Sequence, residues 1–191
     1  MSDFPLLAVT DAQSCSRPLS EQIKRLADCA ARPAAVILRA KELRNADYAR
    51  LAQTAACVCA ESKLPLIMHS DWQLAQALGI QRLHLPLALL AKLPQSERKK
   101  FAWLSTSVHS VEEALTAQKL GATALVAGHI YATQCKAGVA PRGLEFLRSV
   151  CKAVSLPVYA IGGIGFDPAQ HAELHKNGAY GACVMSAYMK L

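Results

Sequence analysis

The chain has 191 residues, 52% of them hydrophobic and 18% charged, a balance that excludes a disordered polypeptide and suits a single domain, residues 1–191, with a substantial core. Its net charge of +7 is spread along the sequence, with one short basic run at Arg98-Lys99-Lys100 and no interleaved aromatics, so a small anionic ligand is expected and nucleic acid is not. No apolar run reaches the roughly 18 residues of a membrane span. The start, Met1-Ser2-Asp3-Phe4-Pro5, lacks the basic and apolar segments of a secretory leader. The expectation is a cytoplasmic protein without membrane contact. The seven cysteines include no C-x-x-C pair, which argues against a zinc knuckle or a dithiol motif and for buried free thiols.

In chain order, Leu6 to Thr10 reads as a buried strand and about Leu19 to Ala31 as a helix with Ile23, Leu26, Ala27 and Ala30 on one face. Ala35 to Leu38 is a second strand, delivering Arg39 and Lys41 just past its end. A helix from about Ala46 to Ser62 follows, with Asn45 as its N-cap. Pro65 to Met68 is the third strand, ending at His69, and Ser70 or Asp71 caps a short helix closing near Gly79. Arg82 to Leu85 is the fourth strand, followed by a weak helix between Leu87 and Lys99. Phe101 to Ser105 is the fifth. Ser110 and Glu113 form a capping box for a helix ending at Gly121.

Thr123 to Ala127 is the sixth strand, and it empties into a long loop reaching Gly143. Then come a helix over about Leu144 to Ala153, a strand at Pro157 to Ile161, a helix opened by Asp167-Pro168 and closed at Gly178, and a last strand at Tyr180 to Met185. These eight strands are continuous apolar runs and not alternating ones, so they are buried on both faces. Strands and helices alternating in this way predict a (β/α)8 TIM barrel in preference to an open doubly wound sheet. The sequence runs only to Leu191, so the eighth helix is expected to be short or absent. Apolar barrel surface would then be left for a second copy to cover, in a homodimer.

Barrels keep their chemistry at the carboxyl ends of the strands. Three kinds of group fall there. Gly162-Gly163 after strand seven and Ser186 after strand eight suit a phosphate held by backbone N–H groups. Arg39, Lys41 and Lys136 are cations for an anionic ligand. His69, His109 and His129 lie at or beyond strand ends, while His84 lies within its strand and either points inward or packs. His129, beside Gly128 at the exit of strand six, is the first candidate for moving a proton, since an unperturbed histidine titrates near 6.5. His109 is the reserve and Cys135 a weaker candidate.

Leu7-Ala8-Val9-Thr10-Asp11, Ile37-Leu38-Arg39-Ala40-Lys41, His84-Leu85, Ser105-Thr106-Ser107-Val108-His109, Thr133-Gln134-Cys135-Lys136, Ala160-Ile161-Gly162-Gly163-Ile164 and Val184-Met185-Ser186-Ala187 stand in this order. Together they resemble the thiamine phosphate synthase superfamily over essentially the whole chain, a group that includes the synthase and its relative, thiazole tautomerase. The resemblance implies a (β/α)8 barrel holding a thiazole phosphate at Gly162-Gly163 and at Ser186, with Met185 beside it.

The synthase pattern holds magnesium and pyrophosphate with an Asn-Asp pair after strand three and an acidic residue after strand four. This chain reads His69-Ser70 and His84-Leu85-Pro86-Leu87-Ala88-Leu89 there, and magnesium takes hard oxygen ligands that Leu89 does not offer. The second of these stretches, with Ser107-Val108-His109-Ser110 and Gly128 to Lys136, looks more like the tautomerase. The expected reaction is therefore a proton shift that aromatises a thiazole carboxylate phosphate, with no metal and no cofactor. In that reading His129 shuttles the proton, Arg39 and Lys41 face the carboxylate or phosphate, and Cys135 and Lys136 line the pocket. The alternatives are thiamine phosphate synthase with a metal site rebuilt on Asp71, and a catalytically silent phosphate-binding barrel.

Overall fold

The computed structural model describes residues 4–43 and 45–191, without the side chain of residue 45. The expected Asn45 cap thus lies outside the described residues. Eight parallel strands form a closed barrel in sequence order: β1 (Leu6–Val9), β2 (Ala35–Leu38), β3 (Leu66–His69), β4 (Arg82–Pro86), β5 (Trp103–Val108), β6 (Ala124–Gly128), β7 (Val158–Ile161) and β8 (Gly181–Val184). The ring closes through Leu6, Leu7 and Ala8 of β1 opposite Ala182, Cys183 and Val184 of β8. This is the expected TIM-barrel architecture.

Side chains of a strand alternate between faces, so a closed barrel sorts each strand into two environments. Leu7, Val9, Ala35, Ile37, Ile67, Val126, Tyr159 and Cys183 form one cluster, inside the barrel. Their neighbours Ala8, Val36, Leu38, Met68, Leu125, Ala160 and Val184 belong to the larger cluster between sheet and helices. That is why the strands read as unbroken apolar runs. The outer layer is built by α1 (Leu19–Asp28), α2 (Asn45–Glu61), α3 (Trp72–Ala77), α4 (Leu87–Lys92), α5 (Gln95–Arg98), α6 (Val111–Lys119), α7 (Gly143–Ala153), α8 (Pro168–Lys176) and α9 (Ser186–Met189).

Local signals account for several of these ends. Asp71, and not Ser70, caps α3 by accepting from Leu74 N at 2.9 Å. Ser110 Oγ accepts from Glu113 N at 3.1 Å, while Glu113 reaches back to His109 N at 2.6 Å, one residue earlier than a capping box would place it. The weak fourth helix is split into α4 and α5 at Leu93-Pro94, since a proline cannot continue the i→i−4 ladder. β5 runs further than expected, to Val108, because Ser105, Thr106 and Ser107 stay in register with β4 and β6; hydroxyl side chains end an apolar run without ending a strand. Only Cys59 and Cys183 are buried, and Cys57 and Cys135 are exposed, so the thiols are less buried than their apolar surroundings suggest. Among the described residues no helix is long and apolar enough to cross a membrane.

The short last helix, α9, covers its own flank of the barrel. Tyr188 and Met189 are fully buried. The Tyr188 hydroxyl donates to Ala31 O at 2.7 Å, its ring stands 4.8 Å edge-on from Phe166, and the Gln22 amide donates to its carbonyl. Met189 Sδ accepts from Asp11 N, directly after β1. The chain's own tail thus packs against this flank. Removing a buried aromatic ring costs about 3–5 kcal/mol. Tyr188→Ala should lower the urea-unfolding free energy by that amount, and a loss under about 1 kcal/mol would show that α9 does not hold the barrel shut.

Candidate functional site at the carboxyl end of the barrel

The inward-facing residues at the carboxyl ends of β1 to β5 make the first half of the mouth. Buried Thr10 accepts from Arg39 N and donates to Arg39 O, both at 2.8 Å, which locks the exits of β1 and β2 together. Arg39 Nη1 then meets Asp11 Oδ1 at 3.2 Å, with both side chains mostly shielded from solvent. Asp11 also accepts from the Ser14 hydroxyl. Lys41 lies exposed in the turn just beyond.

His69 and His84 are register neighbours on β3 and β4, and both point into the barrel. Their rings stack at 5.5 Å. His84 is buried, with Nδ1 and Nε2 each 2.9 Å from the hydroxyls of Ser105 and Ser107 on β5. His69 Nδ1 lies 2.8 Å from Ser70 Oγ. Burial, then the positive charges of Arg39 and Lys41, push the His69 pKa down to about 4. Burial, then His69, pushes His84 down to about 3. Both imidazoles are therefore neutral at physiological pH. The sequence alone leaves His84 undecided and ranks His69 behind His129. The signal for the pair is polar residues at inward positions of three neighbouring strands, which becomes visible only once the register is known.

The other half is formed by the exits of β5 to β8. His109 is exposed and donates from Nδ1 to Gly128 O at 2.8 Å. His129 is nearly buried, its Nε2 donating to Val139 O at 3.3 Å. Ile130 N donates to Ile161 O and Tyr131 N to Gly162 O, carrying the β6–β7 pairing past both strand ends. Gly162, at φ +103°, passes so close that a Cβ there would overlap the His129 Cβ. A Cβ on Gly163, at φ +68°, would meet Tyr131 and Ala132. The glycine pair is thus required by packing of the two loops, and it brings His129 against the proposed phosphate end. On β8's side, Met185 packs half-buried on the inner cluster and Ser186 is exposed at the start of α9. Cys135 and Lys136 do not join this ring; they ride an exposed single turn of 3-10 helix (Gln134–Lys136).

The carboxylates near the mouth do not suit the magnesium site of the synthase pattern. Asp71 spends Oδ1 on the α3 cap, Asp11 is taken by Arg39 and Ser14, and Leu89 lies exposed on α4. Among the described residues no three His, Cys, Asp or Glu side chains are grouped to hold a metal ion. A hollow of about 570 Å³ opens at the opposite end of the barrel beside Trp103, Tyr159 and Tyr180. None of the candidate residues line it, and that end of a barrel serves stability more than chemistry.

The neutral histidines make a pH test. Above pH 6.5 folded and unfolded chains both hold them uncharged. As pH falls, the unfolded chain takes protons that the folded chain refuses until about pH 4 for His69 and about 3 for His84. Stability is therefore lost as pH falls from 6.5 toward 4, by about 1.4 kcal/mol per pH unit for each histidine. Urea unfolding between pH 7.5 and 5.0 should show this slope, and His84→Gln should flatten it. An unchanged slope in that variant would mean His84 is not held neutral. Separately, Gly162→Ala should destabilise the protein by several kcal/mol while an alanine at Gly138, which has open space around it, should not approach that loss.

A family model described as thiamine monophosphate synthase matches residues 6–188. The chain is 32% identical to a thiamine-phosphate synthase of Syntrophomonas wolfei, over 98% of this chain and 90% of that one. It is 29% identical to a putative thiamine-phosphate synthase 2 of Aquifex aeolicus, over 97% of each. Among solved structures, thiamine phosphate pyrophosphorylase from Pyrococcus furiosus superposes with a TM-score of 0.80 at 28% identity, covering 98% of this chain and 88% of that one. These relatives are named for a transferase, which overturns the expected tautomerase and its isomerase chemistry. The residues behind that expectation, Ser107 to Ser110 and Gly128 to Lys136, mark variation inside one superfamily and do not outweigh likeness along the whole barrel. Matched from its first strand to its last helix, the chain belongs to the thiamine monophosphate synthase family.

Proposed function

We propose that this chain is a transferase of the thiamine-phosphate synthase type, joining a thiazole phosphate to a pyrimidine carried on a diphosphate and releasing diphosphate. The observation that carries this reading is the family match along residues 6–188. It is supported by the gathering of the Arg39, Gly162-Gly163 and Ser186 segments at one end of the barrel.

In this reading the thiazole phosphate sits over Gly162 and Gly163, with Ser186 and Met185 on the adjoining strand exit. The N–H groups of Gly163 and Ile164 donate to no protein group among the described residues, so they are open to phosphate oxygens. His129 borders that end, while Lys136 and Cys135 stay outside it on their exposed turn. Arg39 and Lys41 take the diphosphate. When its bond to the pyrimidine carbon breaks as the new bond to the thiazole forms, negative charge grows on the leaving oxygen. A cation already in position there stabilises the transition state more than the ground state.

Purified protein incubated with thiazole phosphate and pyrimidine diphosphate, in buffer containing magnesium, should form thiamine phosphate. His129→Ala should raise the KM for thiazole phosphate roughly tenfold or more, because turning its Nε2–H from Val139 O to a phosphate oxygen makes a hydrogen bond to a charged group, about 1.5–3 kcal/mol. An unchanged KM would remove His129 from that end. A second reading is favoured by His69 and Ser70 standing where the pattern has its magnesium-binding pair. Ligand binding without any product would establish that reading, a silent phosphate-binding barrel.

A further inference from the structure

We propose that the mouth takes a diphosphate group directly on Arg39 and Lys41, with no divalent cation between protein and ligand. This rests on reading the β2 side of the mouth as the diphosphate end, and it departs from the synthase pattern at the place where this chain's residues depart from it.

Magnesium keeps near-ideal octahedral oxygen ligation and is usually held through one or two carboxylates together with substrate phosphates. The strand exits beside Arg39 offer instead two imidazoles and two hydroxyls: His69 hydrogen-bonded to Ser70, and stacked on His84, whose Nε2 meets Ser107. Imidazole is a ligand for softer metals. The nearest carboxylates already have partners. Asp71 Oδ1 caps α3, and Asp11 holds Arg39.

The local field points the same way. Arg39 and Lys41 follow β2, the strand paired with the His69 strand β3, so two fixed positive charges stand at this exit. A positive potential repels a divalent cation and attracts a polyphosphate anion. Arg39 also keeps the means to bind: Nη1 goes to Asp11, and among the described residues the rest of the fork donates to no protein group. A guanidinium so placed suits two-point contact with phosphate oxygens.

The test uses the full chain and inorganic diphosphate as probe. Calorimetric titration in EDTA at fixed ionic strength should show one site per chain, weakened roughly tenfold or more by Arg39→Gln. Mn²⁺ added to the protein–diphosphate mixture should leave the same free-ion paramagnetic signal as diphosphate alone. Binding that appears only when Mg²⁺ is supplied, absence of binding in both conditions, or stoichiometric Mn²⁺ on the protein would each overturn the proposal.

A gain-of-charge variant gives an independent arm. Ser70 has φ +69°, a conformation that aspartate tolerates better than most residues. Ser70→Asp should weaken cation-free binding and make it respond to Mg²⁺, whereas unchanged binding would show that the anion sits elsewhere. Tight diphosphate binding without turnover would count against the transferase reading and leave this one standing.

Discussion

The barrel depends on its closure between the last strand and the first. Ala182 N donates to Pro5 O at 3.0 Å, and Gly181 passes so near that carbonyl that any Cβ there would overlap it. This contact sets β8 against β1, and with eight parallel strands in fixed register it decides which residue of each strand faces inward. Every feature of the mouth follows from that parity. One residue of slip on β3 or β4 would send His69 or His84 into the helix layer and put an apolar neighbour in its place.

The mouth so formed has two physically different halves. Across β1 to β5 it is a polar wall, with a guanidinium held by one carboxylate and two neutral imidazoles held by hydroxyls. Burying these groups is tolerable because nearly all are hydrogen-bonded; Thr106 Oγ1 is a buried hydroxyl with no partner among the described residues. Across β6 to β8, Gly128, Gly162 and Gly163 let two loops lie in backbone contact. In the proposed function, a side-chain cation serves one side of the mouth and the glycine loops the other. That division matches the two phosphorylated partners of the proposed reaction.

The architecture was legible in the amino-acid sequence. Strands buried on both faces must be apolar throughout, and helices between them must carry one apolar face, so a one-dimensional pattern sufficed for the (β/α)8 fold, the caps at Ser110 and Asp167, and the cations past β2. The resemblance carried the superfamily as well, but the branch inferred from a few loop residues was overturned by likeness along the whole chain. Short stretches such as Gly128 to Lys136 weigh heavily when motifs are compared and little when all strands are.

What the sequence determined by itself is therefore the set of buried faces and the strand ends at which polar groups appear, because hydrophobic periodicity and capping are local. Only the tertiary structure decided which of those groups meet. It stacked His69 on His84 against Ser105 and Ser107, set His129 against Gly162, left Cys135 and Lys136 outside the ring, and covered the flank beside β8 with Tyr188. These outcomes depend on segments distant in the chain, brought together by register and closure, and none has a signature in the spacing of residues along one element.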